Sequence, residues 1–392
     1  MRYFKKIILS AITVIGFSSA LLTYTKTPTS NALSSILLGD ANGNGLVTSA
    51  DGQFIQYYLL GYYSANDYQV TAMDINQDGL IDKADIAMIY YSDSTGGSSS
   101  TVNKDLYTAP LNESREYYRH NCQNNNTQTY NIAAAGSSST NSLNSSEVTR
   151  TGSEYYDVTN NNIVQLTING VFQGSGYIIG DHIIATAAHC SVYTANSLSG
   201  QELAYYNNIK VNVYNTNAIV SEQNLLISTD VEYIHIPCSY YSINNGIITY
   251  NDNYDYALLY VKDSLSSYAS NWDFGVTVEE VSSLNKTAIT SGYRWYNNIL
   301  ARYLSNGTIV PMPSGGNNLS SCRMFSTGSS YPGKSGGVVY SSSSYNNSNY
   351  KSAIAIVTGS PGAGQEGAGQ TWSTRINPTL IRFYKRNNYL TE

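Results

Sequence analysis

Two twelve-residue segments constrain this chain more than anything else in it. Asp40-Ala41-Asn42-Gly43-Asn44-Gly45-Leu46-Val47-Thr48-Ser49-Ala50-Asp51 and Asp74-Ile75-Asn76-Gln77-Asp78-Gly79-Leu80-Ile81-Asp82-Lys83-Ala84-Asp85 share one pattern, offset by 34 residues. Each places an oxygen-bearing side chain at positions one, three, five, nine and twelve, and a glycine at position six. A hard cation such as calcium takes about six to eight oxygens, and a short loop can wrap it in this order. The glycine makes the sharp turn, and the carbonyl of position seven adds a backbone ligand. The candidate ligands are Asp40, Asn42, Asn44, the Leu46 carbonyl, Thr48 and Asp51 in the first loop. In the second they are Asp74, Asn76, Asp78, the Leu80 carbonyl, Asp82 and Asp85.

Each loop runs into an apolar helical stretch, at 54–60 and 86–91, and each ends with Asp where the common EF-hand ends with Glu. An aspartate-terminated loop with one following helix, duplicated over residues 36–92, resembles a type I dockerin. The resemblance implies a small all-α module with two calcium ions, docking onto a cohesin module of a scaffolding protein as in cellulosome-like assemblies. In that family, loop positions ten and eleven help choose the cohesin; here they are Ser49/Ala50 and Lys83/Ala84. The two pairs differ, which argues against a near-symmetric dual binding mode. The plainer alternative is a calcium-stabilised fold with no partner.

Composition narrows the rest. At 392 residues the chain is long enough for two or three domains, and 42% apolar residues can build a core. The charged share, 12%, is about half of what soluble domains usually carry. With 21 Lys+Arg against 27 Asp+Glu, the net charge of -6 repels phosphate, so no nucleic-acid partner is expected. The 37 tyrosines, with abundant Ser and Asn, favour β surfaces. Four cysteines cannot make a disulfide-dense scaffold. Arg2, Lys5 and Lys6 precede an apolar run at 7–22, with small residues at Ser18/Ala20 and Ser30/Ala32. That layout predicts a signal peptide over 1–32 and a secreted, extracellular protein, free or held at the cell surface through a scaffold. An uncleaved anchor is the competing reading, although the run is close to the lower limit of about 17 residues for a span. Residues 93–150 read as a linker or a propeptide; the stretch 92–103 is Ser/Gly/Thr-rich and is expected to be a flexible tether.

From about residue 151 short β-prone runs alternate with Asn/Gly/Ser turns, the pattern of a barrel or sandwich. Three motifs then follow in order: Thr186-Ala187-Ala188-His189-Cys190, Asn253-Tyr254-Asp255-Tyr256-Ala257, and Pro332-Gly333-Lys334-Ser335-Gly336-Gly337. Alone, each is weak, since a lone histidine is more often structural and strand-edge aspartates are common. Together they supply what a serine nucleophile needs: an imidazole to take its proton, and a carboxylate to hold that imidazole in the right tautomer. The glycines let backbone N–H groups converge on a developing oxyanion.

The order His…Asp…Ser is similar to that of trypsin-like serine proteases over residues 151–392, with the bacterial glutamyl-endopeptidase branch nearest from Ser373-Thr374-Arg375-Ile376. The resemblance implies a mainly β fold, two six-stranded antiparallel barrels with the site between them, closed by a C-terminal helix near 380–387. It makes His189 the general base, Asp255 its orienter and Ser335 the nucleophile, with the N–H groups of Gly333 and Ser335 as the oxyanion hole. Catalysis needs no cofactor in this reading, the substrates are proteins or peptides, and the protease domain is monomeric. The alternative is a non-catalytic protease-fold module that binds or inhibits within a cellulosome-like complex. Several positions depart from the family. Lys334 stands where many animal members carry the Asp that pairs with a newly exposed N-terminal amine. Ser329 replaces the pocket Asp of trypsin, and Val357 the pocket His of glutamyl endopeptidases. A neutral primary pocket is therefore expected, with the edge at 358–360 pairing with substrate backbone. No cysteine lies in 170–188 to pair with Cys190, which must find another partner or stay free; of the three connectivities, Cys190–Cys238 with Cys122–Cys322 is preferred.

Overall fold

The computed structural model describes residues 36–60, 63, 65–95, 101–102, 115–132, 154–198, 200–277, 287–310, 323–345, 348–359, 371–376, 380–381 and 383–384. The expected signal segment and residues 133–153 lie outside these. From residue 35 onward the chain forms one compact unit.

The N-terminal part holds β1 (Ile36–Leu37), α1 (Ser49–Leu59), α2 (Asp67–Met73), β2 (Leu80–Ile81), α3 (Lys83–Thr95) and β3 (Thr101–Val102). Both loop–helix units expected from sequence form, and the loops themselves start the helices. Thr48 caps α1 by accepting the Ala50 N–H, while Asp51 reaches back to the Thr48 N–H, a capping box that satisfies otherwise orphaned donors. Ile55, Tyr58 and Ile89 are buried where α1 and α3 meet. β1 pairs with β3, so residues 101–102 of the expected tether return to the module they leave.

Beyond it come the hairpin β4 (Arg115–Asn121) and β5 (Asn126–Ile132), then β6 (Glu154–Tyr156). The first barrel uses β7 (Ile163–Ile168), β8 (Val171–Gly180) and β9 (Ile183–Thr186), which precede a surface hairpin of β10 (Val192–Ser197) and β11 (Gly200–Tyr205). It continues with β12 (Ile209–Tyr214) and β13 (Leu225–Pro237), then a second hairpin, β14 (Tyr241–Asn244) and β15 (Ile247–Tyr250), then β16 (Ala257–Val261). The circuit β12-β7-β8-β9-β16-β13 closes through pairing of β12 with β13, giving six antiparallel strands. β4 pairs with β13 and β5 with β4, so residues 115–132, expected from sequence to be linker or propeptide, extend the first barrel's sheet outside its closed circuit.

After β17 (Asp273–Phe274) and β18 (Val276–Thr277), the second barrel follows with β19 (Thr287–Tyr296), β20 (Ile299–Val310), β21 (Arg323–Ser326), β22 (Val338–Tyr345), β23 (Ser348–Gly359) and β24 (Thr371–Arg375). Its circuit β23-β22-β19-β20-β21-β24 also has six strands and closes where β23 meets β24. Two closed six-stranded antiparallel barrels, with few helices, are the fold typical of chymotrypsin-like proteases. Leu380, Ile381, Phe383 and Tyr384 are helical and buried against the first barrel, as expected for a closing C-terminal helix.

The calcium-loop part does not hang free of the barrels. β2 pairs antiparallel with β18, and β17 runs parallel beside β23. Leu80 is 4% exposed and packs into the core of the second barrel with Ile309, Met324, Val339, Ile354 and Val357. Asp82 accepts hydrogen bonds from Ser343 and Ser352, and Lys83 pairs with Asp273 at 2.7 Å. In sequence the two parts read as separate modules. The apolar contact of Leu80 with strands more than 200 residues away is not visible in local pattern.

Candidate active site and calcium loops

The register of two neighbouring strands brings His189 and Asp255 together. β9 pairs with β16, setting Thr186 opposite Ala257, so the turn at Ala188–Cys190 lies beside the residue that enters β16. Asp255 then clasps the histidine twice. One carboxylate oxygen is 2.7 Å from the ring Nδ1 and the other accepts the His189 backbone N–H at 3.0 Å. An acceptor on Nδ1 fixes the tautomer with its proton there and leaves Nε2 as the basic nitrogen. Thr374 of β24 donates to the Asp255 carbonyl, tying this corner of the first barrel to the second. The Asp255 side chain is 7% exposed and the imidazole 36%. Burial by itself would depress the imidazole pKa, but the Asp255 charge and the adjoining Cys190 more than offset it and hold His189 well above its ordinary value.

Ser335 comes from the second barrel, in the turn ahead of β22. Its carbonyl accepts the Ser175 N–H at 2.8 Å and the Cys190 thiol at 3.5 Å, which docks the turn beside the residue after His189. Among the described residues its hydroxyl makes no hydrogen bond to His189; such contacts often tighten only when substrate arrives. Gly333 has φ +98°, and an added Cβ would meet the Phe172 ring at 2.5 Å and the Tyr293 carbonyl at 3.0 Å. Only glycine sits there without strain. The turn is braced by Lys334 N–H to the Tyr331 carbonyl, Gly336 N–H to Val357, and the Ser175 hydroxyl to the Gly333 carbonyl. The N–H groups of Gly333 and Ser335 have no protein acceptor among the described residues, as an oxyanion hole requires.

Beside His189 lies a cleft lined by Tyr240, Tyr250, Asp255, Arg323, Thr358 and Trp372. Ser329, whose carbonyl accepts from Lys334, and Ser373, which pairs with Val357, are buried, and Val357 faces the barrel core. The preferred disulfide Cys190–Cys238 does not form: both are free, Cys190 being buried between Gly174 and the Ser335 carbonyl. Cys122 is also free, and Cys322 lies outside the described residues. The supports of the serine turn, chiefly Glu154, Ser175 and Arg294, carry no local sequence signal. Lys334 in place of an acid was the available signal that a carboxylate had to lie nearby.

In the first loop Asp40 accepts the N–H groups of Asn44 and Gly45, and Asp51 those of Asn42 and Thr48. Asn42 and Asn44 each accept an N–H two residues on. The second loop repeats the scheme, with Asp74 accepting from Gly79, Asn76 from Asp78, Asp78 from Leu80, and Asp85 from Ile75 and Asp82. Among the described residues no group of three His, Cys, Asp or Glu side chains stands in metal-holding geometry. The donor set nevertheless suits a hard cation: carboxylates, amide oxygens, the Thr48 hydroxyl and the carbonyls of Leu46 and Leu80. Burial, and then the charge of Asp74, holds the Asp85 carboxyl well above the usual range, a cost that a bound cation would relieve.

Residues 38–90 are a type I dockerin domain. The family match spans both loops, α1, α2 and most of α3. The dockerin therefore includes Leu80, Asp82 and Lys83, the residues that meet the second barrel. No curated protein matches the chain.

Proposed function

We propose that the double barrel is a serine endopeptidase carried by its dockerin into an extracellular, cellulosome-type assembly. The observation that carries this reading is the double clasp of Asp255 on His189, beside a glycine turn that presents Ser335 with two open N–H donors. In the proposed reaction, Nε2 of His189 takes the proton of the Ser335 hydroxyl as its oxygen attacks a peptide carbonyl. Asp255 orients the ring and stabilises the imidazolium. The N–H groups of Gly333 and Ser335 stabilise the oxyanion. The imidazolium then gives its proton to the leaving amine, and water repeats the sequence on the acyl-enzyme. No carboxylate stands at position 329, so substrates with neutral, apolar or aromatic residues before the scissile bond are expected. The chain's nearness to glutamyl endopeptidases rests on 373–376 alone.

Dockerin domains bind cohesin modules, and a cohesin on a scaffold is the proposed partner. The two loops would hold two calcium ions through the twelve positions named above, calcium supplying the charge that lets these carboxylates pack together. Secretion rests on the charged and apolar pattern of residues 1–32.

A fluorophosphonate probe tests the hydrolase. Ser335 is expected to label, and Ser335→Ala to abolish both labelling and casein cleavage. An unlabelled, folded wild type would leave the non-catalytic alternative. Cohesin capture with and without chelator tests the dockerin.

A further inference from the structure

Lys334 is fully buried, next to the proposed nucleophile, where an unpaired ammonium is strongly disfavoured. Its Nζ lies 2.6 Å from Glu154 Oε1 and donates to the Ser329 carbonyl at 3.2 Å. The other Glu154 oxygen is held by Arg294, whose guanidinium stacks 4.0 Å from the Tyr331 ring and 4.6 Å from that of Tyr296. Glu154 is itself fixed. It lies on β6, paired with Ser305 of β20, and the next turn is pinned by Asp157, whose N–H donates to Arg302 and whose carboxylate accepts from Ser291 and Asn160. The cation therefore sits on the serine turn, between the two proposed oxyanion donors, and its counter-ion is a side chain on a rigid strand.

We propose that the Glu154–Lys334 pair is a built-in lock that positions the oxyanion turn, so that the turn is ordered without any newly freed chain terminus. The proposal rests on the endopeptidase reading. Glu154 and Lys334 are positioning residues and touch no reacting atom. Among the described residues, the charged groups facing the ammonium are led by Glu154 from β6, Arg294 from β19 and Asp157 from the turn after β6. Burial lowers the Lys334 pKa to about 8, against the pull of Glu154, so the lock opens near that pH.

The test is the rate of fluorophosphonate labelling of Ser335 across pH 6 to 10, in the full chain with calcium. The wild-type rate is expected to fall above about pH 8. Glu154→Gln leaves the ammonium buried with less compensation, so its descending limb is expected at least one pH unit lower, with a tenfold or greater loss of maximum rate. Glu154→Asp is expected to fall between. Lys334→Arg keeps a cation that does not titrate in this range, so its descending limb is expected to vanish; it carries the test if Glu154→Gln does not fold. A labelled wild type whose descending limb is shared unchanged by all the folded variants overturns the lock and spares the protease. A wild type that never labels overturns both.

Discussion

Ser352 donates a 2.9 Å hydrogen bond to Asp82, joining a strand of the second barrel to the ninth position of a calcium-type loop. Two residues earlier, Leu80 fills the core of the same barrel. One short segment thus serves both parts: one Asp82 oxygen accepts the Ala84 N–H within the loop, while the other oxygen and the Leu80 side chain meet the barrel. Replacing Leu80 with Ala deletes a fully packed side chain and is expected to cost about 2–5 kcal/mol. Urea unfolding monitored by tryptophan fluorescence reads this directly, and a change below about 0.5 kcal/mol would mean that the seat is not maintained in solution.

Asp255→Asn preserves the shape around His189 but favours the wrong tautomer. The expected outcome is a fall in kcat of about 10⁴-fold with near-native folding. Activity within tenfold of wild type would remove Asp255 from the mechanism.

The His189 pKa is raised in the folded protein, so the folded state binds that proton more tightly than the unfolded chain. The stabilisation from the Asp255 pair is complete below the ordinary value of 6.5 and is lost as pH climbs through the raised value. Catalysis makes the opposite demand, because the base must be neutral. The acid limb of kcat/KM is therefore expected above pH 6.5, in a range where the protein still gains stability from the charged pair. A pH–rate profile already flat at pH 6 would contradict this.

Gly333→Ala puts a methyl group into the Phe172 ring and strains the backbone at φ +98°. Turning that peptide away removes one oxyanion donor, an expected loss of about 10²- to 10³-fold in kcat with KM little changed. An unchanged kcat would show that the donor lies elsewhere.

Much of this was legible from sequence because it is local. The calcium loops declare themselves through oxygen side chains and a glycine at fixed spacing, and the helices start where those loops end. His189, Asp255 and Ser335 stood out by residue type and order. What escaped is long-range. The hairpin at 115–132 is polar enough to read as linker, yet it pairs with β13 through backbone bonds that composition does not encode. Of the two readings open for Cys190, a bridge to Cys238 or a free thiol, the structure has the free thiol, packed between Gly174 and the serine turn. Lys334 was noticed as a departure, but its partner Glu154 is 180 residues away, and only the pairing of β6 with β20 puts it there.

The seat of Leu80 bears on mechanics. A module joined to its cargo only through a flexible linker would pass a pulling force to that linker, which stretches first. Here the dockerin is seated against the second barrel through Leu80, so tension applied to the dockerin would reach the strands behind the serine turn before any slack is taken up.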